Sequence, residues 1–405
     1  MQRGIQAKAW SIFATFLLSV VVSAAASQYR PLPMNAPELE PIKFDNIAGW
    51  EQDEHSEAFR VFARSCSEIV EEGRGFAQKN RFGGDRADWM PVCRAASKLG
   101  LDISNAAARG FFETHFAPVL VQNSRPPSGF FTGYYEPEAH GDRQPHGKFA
   151  VPIYAKPSDL VRFDADTERR LGYRYGRLEN GEPRAYFTRR QIEEGALAGR
   201  GLEIAWLQSW ADAFFIHVQG SGRVRLPNGE ILRLAFAAKS GHPYTAIGGV
   251  LVERGEISHA EMSMQSIRDW MNRNPHQARQ LMWENQSFVF FREVAVENPS
   301  LGPPGAARVQ LTPYRSLAID RAFWAFGTPL WVDTRLPVEG PGKIFRQLTV
   351  AQDTGSAIKG AARGDIFFGF GEDAAHLAGH MKSEGRMIAL LPKLLARRLA
   401  KGAVK

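Results

Sequence analysis

The chain has 405 residues, of which 44% are hydrophobic and 23% charged, a composition typical of folded globular domains. The chain is longer than a single hydrophobic core usually supports, so two domains are expected. The formal net charge of +7 comes from the ends: Arg3 and Lys8 lie near the start, and five basic residues lie in a C-terminal tail without acids. The body between them is neutral, which excludes a nucleic-acid binder that works through a basic face.

The first 27 residues are predicted to be an export signal. Arg3 and Lys8 are followed by an apolar run from Ala9 to Val22 and then by small residues from Ser23 to Ser27, which offer a cleavage site. The alternative is an uncleaved membrane anchor, although the run is short for a span. No cysteine near the cleavage region offers a lipid attachment point. We therefore expect an exported, periplasmic protein that is soluble or peripheral to the outer membrane.

The N-terminal part of the body reads as helical after a Pro-rich, extended lead-in from Tyr29 to Asp45. From Ser56 to Phe116 the apolar residues recur at helical spacing, and one predicted face consists of Phe59, Phe62, Ile69 and Val70. The two cysteines, Cys66 and Cys93, are a disulfide candidate in an oxidising compartment. Such a bridge stabilises the fold by about 3 kcal/mol. Two separate buried thiols are the alternative.

From Gly129 onward the pattern changes to short β-runs broken by Gly and Pro. Phe214–Gln219 and Ile231–Phe236 are predicted as two strands of a hairpin, because Asn228-Gly229 between them is a strong turn signal. A helix is predicted from Ser263 to Arg273, with Met264, Ile267 and Met271 on one face. Further strands are expected at Phe288–Phe291, Ser316–Ile319, Pro329–Val332, Leu348–Ala351, Ile366–Phe368 and Arg386–Leu391. Helices followed by many short strands favour barrels over a parallel sheet.

Three aspartates at or beside these strand ends are the candidates for chemistry: Asp333, Asp353 and Asp365. Apolar residues lead into Asp353-Thr-Gly, which predicts a buried strand that ends in a tight turn. Two carboxylates in one cleft repel each other, and burial adds to the effect, so that one pKa rises as an acid catalyst near neutral pH requires. Each aspartate also has a plain explanation as a turn residue.

Two further segments have the composition of a sugar site. Thr132-Gly133-Tyr134-Tyr135 places aromatic rings beside polar groups, and strand alternation sends only one of the two tyrosines to each face. Gln219-Gly220-Ser221 is predicted to be a polar loop at a strand end that faces sugar hydroxyls. The alternative is a flexible segment beside a hairpin. No HExxH or CxxC spacing occurs, and a phosphate loop would need a lysine that is missing, so neither a metal nor another cofactor is expected.

The order of motifs resembles the lytic murein transglycosylase A family from about Phe130 to Leu391. The motifs are Thr132-Gly-Tyr-Tyr-Glu-Pro, Val218-Gln-Gly-Ser-Gly, Ser263-Met-Gln-Ser-Ile-Arg, Asn285-Gln-Ser-Phe-Val-Phe-Phe and Asp353-Thr-Gly-Ser-Ala-Ile-Lys-Gly. The resemblance implies a mainly β fold with N-terminal helices, in which a double-psi β-barrel domain and a second, inserted β-barrel-like domain enclose a groove. The implied segments are the signal (1–27), the lead-in (28–55), the barrel domain (56–135 and 292–392), the inserted glycan-binding domain (136–291) and the basic tail (393–405).

The same resemblance implies a peptidoglycan lytic exotransglycosylase with no cofactor. Asp365 would be its single catalytic acid, and Asp353 and Asp333 would support it. Substrate-binding residues would be Thr132, Gly133, Tyr134, Tyr135, Gln219, Gly220, Ser221 and Lys359. The implied partners are peptidoglycan glycan strands, with peripheral membrane or wall-synthesis proteins as further partners, and the chain is expected to be a monomer that binds no nucleic acid.

This chain departs from the family pattern in two respects. It lacks the lipid-bearing cysteine that family members often carry, and its interval from Asp353 to Asp365 is one residue longer. Two rival interpretations stay open. A pepsin-like aspartic protease would use Asp353-Thr-Gly but needs a second such motif, which this chain could supply only as a dimer. A non-catalytic wall-binding module would use the aspartates only as hydrogen-bond partners of glycan.

Overall fold

The computed structural model describes residues 37–71, 74–76, 78–122, 129–338 and 342–402, and the chain from Asn35 onward forms one unit. The predicted export signal lies outside the described residues. Helices among them are α1 (His55–Glu71), α2 (Arg86–Leu99), α3 (Asn105–His115), α4 (Ala165–Leu171), α5 (Arg189–Gln191), α6 (Trp210–Gln219), α7 (Ile247–Glu253), α8 (Met264–Arg273), α9 (Pro275–Glu284), α10 (Glu372–His380) and α11 (Lys393–Gly402). A π-helical turn, Ile192–Ala196, follows α5 directly, and 3₁₀ turns cover Phe44–Asn46, Trp50–Gln52 and Arg74–Phe76.

The strands in the same described residues are β1 (Glu38–Pro41), β2 (Phe116–Gln122), β3 (Gly129–Glu136), β4 (Glu138–Asp142), β5 (Val151–Tyr154), β6 (Val161–Arg162), β7 (Tyr175–Glu179), β8 (Glu182–Ala185), β9 (Glu203–Leu207), β10 (Ser221–Arg225), β11 (Ile231–Lys239), β12 (Val289–Val294), β13 (Ser316–Ile319), β14 (Pro329–Leu336), β15 (Lys343–Asp353), β16 (Arg363–Phe370) and β17 (Lys382–Pro392). Most C-terminal strands are longer than predicted, because ladder pairing extends past the apolar residues that the sequence pattern detects. Among the described residues, no helix is long and apolar enough to cross a membrane.

Six strands form a closed β-barrel. The ring runs β3-β16-β13-β15-β14-β17 and returns to β3, since β17 pairs with β14 and also with β3. Two of the pairings are parallel, β3 with β16 and β13 with β15. Strands β2 and β1 extend the sheet beyond β17, so the described part of the predicted lead-in begins as a paired, extended strand. Closure leaves the ring without free edges.

A second sheet of six strands, in the order β12-β11-β10-β4-β9-β5, is built from residues inserted between β3 and β13. A single bridge between Ala155 and Phe291 connects the region of β5 with β12, so this sheet almost closes as well. The predicted fold class, mainly β with N-terminal helices and two barrel-like bodies, is confirmed. A separate three-stranded sheet, β6-β7-β8, lies within the same insert.

Helices α1 to α3, in the region that the apolar spacing predicted to be helical, cover the outside of the barrel. Phe59, Phe62 and Ile69 are buried, whereas Val70, predicted for the same face, is exposed. The helices pack against outward side chains of β14, β15 and β17, such as Trp331 and Leu348. The bridge between Cys66 and Cys93, with a Cα–Cα distance of 5.1 Å, confirms the predicted disulfide and joins α1 to α2.

The segment Phe214–Gln219 is a helix and not the predicted strand. It belongs to α6, which begins after Ser209, whose hydroxyl accepts hydrogen bonds from the first amides, and ends at Gly220 in a left-handed conformation. The helix is apolar on nearly all sides and buried, so its periodicity did not distinguish it from a strand. The predicted hairpin around Asn228-Gly229 exists, but its strands are β10 and β11. Gln219-Gly220-Ser221 is therefore a helix-to-strand junction.

The predicted helix after Ser263 is confirmed as α8, capped by the Ser263 hydroxyl. Met271 is buried, and Met264 and Ile267 pack against the core beside it. The basic tail is not a freely solvated helix end, because α11 buries Leu395 completely in the barrel core and Arg398 forms an ion pair with Asp88 of α2.

Candidate active site

Strand β13 brings Asp353 and Asp365 to the same level of the barrel. Ala318 of β13 lies opposite Asp353 of β15 on one side and opposite Asp365 of β16 on the other. Two inter-strand steps of about 4.8 Å therefore separate the two backbones. Ala318 is nearly buried and lines the cleft between them, and its small side chain leaves room above the strand. The site is thus made from three strands, and β13, which comes first in the chain, lies between the two that carry the aspartates.

The Asp353 carboxylate is held by three donors. Its Oδ1 accepts hydrogen bonds from the amides of Ala306 (3.0 Å) and Thr354 (2.9 Å), and its Oδ2 accepts one from the Tyr134 hydroxyl (3.0 Å). Burial raises the pKa of Asp353, and these three hydrogen bonds oppose the rise because they favour the charged form. Every polar contact of this side chain suits an anion.

Tyr134 remains protonated next to this carboxylate. Burial, together with the charges of Asp353 and Asp365, raises the pKa of Tyr134 well above its usual value. Its ring packs against Phe367 with the centroids 5.2 Å apart. The tyrosine is therefore a fixed hydrogen-bond donor to Asp353.

Asp365 has a single hydrogen-bond donor among the described residues. The Thr132 hydroxyl, on the neighbouring strand β3, donates to its Oδ1 over 2.5 Å. Burial raises the pKa of Asp365, the Arg363 charge and the Thr132 hydrogen bond lower it, and the Asp353 charge raises it again. The side chain is enclosed by protein on most sides yet keeps a partly exposed surface, because it lies at the bottom of the cleft. It is both accessible and poorly solvated, as a general acid requires.

The cleft above the two aspartates has a volume of about 320 Å³, and its far wall comes from the inserted residues. Three large side chains of that wall are unusually exposed: Val218 (38%), Phe236 (48%) and Tyr244 (40%). Lys239, on the same wall, donates to the Ser356 hydroxyl over 3.3 Å and so reaches across to the loop after Asp353. The cleft therefore has carboxyl groups on one side and exposed apolar and aromatic surface on the other.

A buried charged group supports this far wall. Arg189 is almost fully buried and binds the carbonyl oxygens of Asn285 (3.0 Å) and Ser287 (2.8 Å) and the carboxylate of Glu193 (3.2 Å). It also donates to Nδ1 of His217 over 3.1 Å. Burial, and then the Arg189 charge, hold the pKa of His217 well below its usual value, so the ring is neutral. His217 is a core histidine beside the cleft and not a metal ligand in any group of the described residues.

The predicted substrate-binding residues divide into two groups. Gly133, Tyr134, Gln219 and Gly220 line the cleft, and Thr132 binds Asp365. Tyr135 points to the opposite face of β3, where it is buried and interacts with Arg268, as strand alternation requires. Gln219 uses its side-chain oxygen to accept from the Tyr135 amide over 3.2 Å.

Two other predicted binding residues lie outside the cleft lining. Ser221 is buried at the start of β10, and Lys359 is exposed on the loop between the two aspartates. The Lys359 charge reaches the site only indirectly, since it contributes to a lowered pKa of Lys239 after burial and Arg174. No contact in the described structure supports the predicted role of Ser221 or Lys359 in substrate binding.

Asp333, the third predicted aspartate, lies in the middle of β14 and forms an ion pair with Arg346 at 3.0 Å. It does not line the cleft. Asp320, which the sequence reasoning missed, follows β13 directly and is buried, and its carboxylate accepts from the amides of Gly360 (2.9 Å) and Ala322 (3.0 Å). Asp320 thereby anchors the loop between Asp353 and Asp365. The available signal was the apolar run Ser316–Ile319, which leads into Asp320 as Val350-Ala-Gln leads into Asp353.

A buried ion triad lies where the chain crosses between the two large sheets. Glu136, the last residue of β3, is completely buried and binds Arg223 of β10 (2.8 Å) and Arg233 of β11 (3.0 Å). The same two arginines donate to the carbonyl oxygens of Pro299, Leu301 and Gly302 on the returning segment. Both crossings are thus attached to one charged cluster.

The chain matches two family models, the MltA specific insert domain over residues 130–292 and the 3D domain over residues 315–391. It is 38% identical to a crystal structure of the membrane-bound lytic murein transglycosylase from Agrobacterium tumefaciens, with a TM-score of 0.80 and coverage of 89% of this chain and 99% of the other. The chain belongs to the lytic murein transglycosylase A family. Escherichia coli MltA with bound chitohexaose is 27% identical, with a TM-score of 0.61 and coverage of 89% and 93%.

A curated relative, membrane-bound lytic murein transglycosylase A of Vibrio cholerae, is 34% identical over 264 residues. The match spans 64% of this chain and 64% of the length of that relative. The insert and 3D matches fall on the second sheet and on the C-terminal barrel strands, the two bodies that enclose the cleft.

Proposed function

We propose that the protein is a lytic transglycosylase that cleaves the β-1,4 bond between N-acetylmuramic acid and N-acetylglucosamine in peptidoglycan and leaves a 1,6-anhydromuramyl end. The proposal rests on the different numbers of hydrogen bonds that the two neighbouring carboxyl groups accept. Asp353 receives three hydrogen bonds and Asp365 one, so a proton taken up by the pair belongs on Asp365. That leaves one available acid at the bottom of the cleft.

A single acid suits a reaction in which the substrate brings the nucleophile. Ordinary glycosidases use two carboxyl groups, one as acid and one as nucleophile or base. In this proposal, protonated Asp365 gives its proton to the glycosidic oxygen, and the bond from that oxygen to muramyl C1 breaks. The muramyl C6 hydroxyl attacks C1 from within the same sugar, and the Asp365 carboxylate takes the hydroxyl proton. No water is consumed, and the enzyme returns to its starting state.

Asp353 has a supporting role in this scheme. Burial, and then the negative charge of Asp353, raise the pKa of Asp365, which favours the protonated acid before the reaction. The negative charge of Asp353 also favours the positive charge that develops at C1 in the transition state. The exposed Phe236 and Tyr244 of the far wall suit the apolar faces of pyranose rings.

The geometry argues against the protease alternative. A pepsin-like dyad holds two facing carboxyl groups that share one proton. Here β13 runs between the strands that carry the two aspartates, and no hydrogen bond joins their carboxyl groups among the described residues. The oxygens of Asp353 are occupied by Tyr134 and by backbone amides instead.

The decisive experiment compares purified protein and the Asp365→Asn variant on isolated sacculi, with mass spectrometry of the released muropeptides. We expect anhydromuropeptides from the parent and a loss of at least about a hundredfold in the variant. Asp166→Asn, an exposed aspartate of α4, is the matched control and should keep full activity. If the parent binds sacculi but releases nothing, the protein is a wall-binding module; if Asp365→Asn still makes anhydro products at the parental rate, the assignment of the acid is refuted.

The remaining parts of the proposal concern organisation and location. We take residues 56–135 with 292–392 as the barrel domain and 136–291 as the inserted domain, which the change of sheet after β3 supports. Export to the periplasm is supported by the Arg3-to-Ser27 pattern, and association with a membrane is supported by the relatives named as membrane-bound. Fractionation of cells that produce the full chain, with and without residues 1–27, tests the location.

A further inference from the structure

Arg363, which no step above uses, controls the hydroxyl that binds the catalytic carboxyl group. Its Nη2 donates to the Thr132 Oγ1 over 2.7 Å, and the Thr132 hydroxyl is in turn 2.5 Å from Oδ1 of Asp365. Arg363 is itself held in place, because Nη1 donates to the Gly364 carbonyl (2.5 Å) and the guanidinium lies over the Phe130 ring at 5.2 Å. The three residues form a chain of hydrogen bonds across β3 and β16.

The direction of this chain follows from the donors available. A guanidinium carries only N–H groups and cannot accept a hydrogen bond. The Thr132 oxygen must therefore accept from Arg363, and its one hydrogen must point to Asp365. Oδ1 of Asp365 is consequently an acceptor in both protonation states of the carboxyl group.

We infer that Arg363 and Thr132 are positioning residues that confine the acidic proton of Asp365 to Oδ2. This inference rests on the proposed function and adds an orientation to it. Oδ2–H gives its proton to the glycosidic oxygen while the C1–O electron pair leaves with that oxygen. Oδ2 then accepts the C6 hydroxyl proton as the new O6–C1 bond forms. One oxygen performs both transfers, so the leaving oxygen and the C6 hydroxyl must both approach the same side of the carboxyl group.

Several charged or titratable groups surround Asp365, and they must be kept constant in any test. Arg363 lies on its own strand, Tyr134 on β3 and Asp353 at the end of β15; Lys239, Arg189 and His217 line the far wall. Substitutions at Thr132 leave all of these charges unchanged. Thr132 is therefore the first residue to substitute in the test, and Arg363 is the second.

The test measures kcat for anhydromuropeptide release against pH in Thr132→Val, Thr132→Ser and Arg363→Gln, with the exposed Arg190→Gln as control. Loss of a hydrogen bond to the carboxylate favours its protonated form. Activity requires protonated Asp365 and falls as pH rises through its pKa, so the alkaline limb of Thr132→Val moves to higher pH. Its plateau kcat falls about tenfold, because the carboxyl group loses the contact that fixes its orientation, and the proton is also no longer confined to one oxygen. Thr132→Ser should restore both features, and Arg190→Gln should change neither.

Arg363→Gln should move the alkaline limb in the same direction and further, because the positive charge of Arg363 lowers the pKa of Asp365 more than the Thr132 hydrogen bond does. A ¹³C titration of the aspartate carboxyl groups gives the same ordering without turnover. The inference is overturned if Thr132→Val keeps the parental limb and kcat, or if Thr132→Ser loses as much as Thr132→Val. Those outcomes leave the proposed function intact as long as Asp365→Asn is inactive, whereas an active Asp365→Asn refutes the proposed function itself.

Discussion

Replacing Tyr134 by phenylalanine removes one hydroxyl from the site and little else. The ring would still pack against Phe367, Leu311 and Ala318, and Asp353 would keep its two backbone donors. A hydrogen bond to a charged group contributes about 1.5–3 kcal/mol. If all of that is felt in the transition state, kcat falls by about 10- to 150-fold, since 1.4 kcal/mol corresponds to a factor of ten.

The chain provides a matched control in Tyr135→Phe, on the opposite face of the same strand. Its hydroxyl interacts with Arg268 and not with either aspartate, so this variant should lose some stability but keep its kcat. The assay is the rate of anhydromuropeptide release from sacculi at saturating substrate, together with a melting curve for each variant. Equal kcat losses in the two variants, or no loss in Tyr134→Phe, would refute the assigned role of the Tyr134–Asp353 hydrogen bond.

Three further predictions concern stability. Burial raises the folded-state pKa of Asp365, so the stability associated with this group is present at low pH and is lost as pH rises through that pKa. Asp365→Asn should therefore raise Tm at neutral pH and leave it unchanged near pH 4, measured by calorimetry. Asp320→Asn should lower the free energy of unfolding by about 1–3 kcal/mol and reduce activity, because it weakens the anchor of the loop between Asp353 and Asp365. Asp333→Asn breaks a partly exposed ion pair and should lower the free energy of unfolding by at most about 1 kcal/mol. Urea titrations measure both changes. Replacing Cys66 and Cys93 together by serine should cost about 3 kcal/mol, and an unchanged urea midpoint would contradict it.

The sequence predicted the elements that carry local signals. The strand that ends at Asp353, the helix capped by Ser263 and the Asn228-Gly229 turn all have their determinants within a few residues. The sequence pattern did not predict helix α6, because burial on nearly all sides leaves the helix without a continuous polar face. Its decisive signals were the short-range ones at Ser209 and Gly220, which cap the two ends.

The site was less predictable because it depends on strand order. Asp353 and Asp365 meet through β13, which precedes both in the chain, and no local pattern reveals that placement. Asp333 and Asp320 both follow apolar runs, and no local pattern shows that Asp320, and not Asp333, contacts the loop between Asp353 and Asp365. The far wall was hidden too, since Arg189, Lys239 and Tyr244 come from separate elements that only the fold brings together.

The triad of Glu136, Arg223 and Arg233 has a consequence for how the proposed glycan substrate enters the cleft. Separating the two sheets at this crossing would pull the buried Glu136 carboxylate away from two guanidinium groups, which costs several kcal/mol. The two sheets are therefore held together at this crossing, and their separation is opposed there. For the proposed glycan substrate, this predicts entry from the sides of the cleft that lie away from the triad, and not by separation of the two sheets at the crossing.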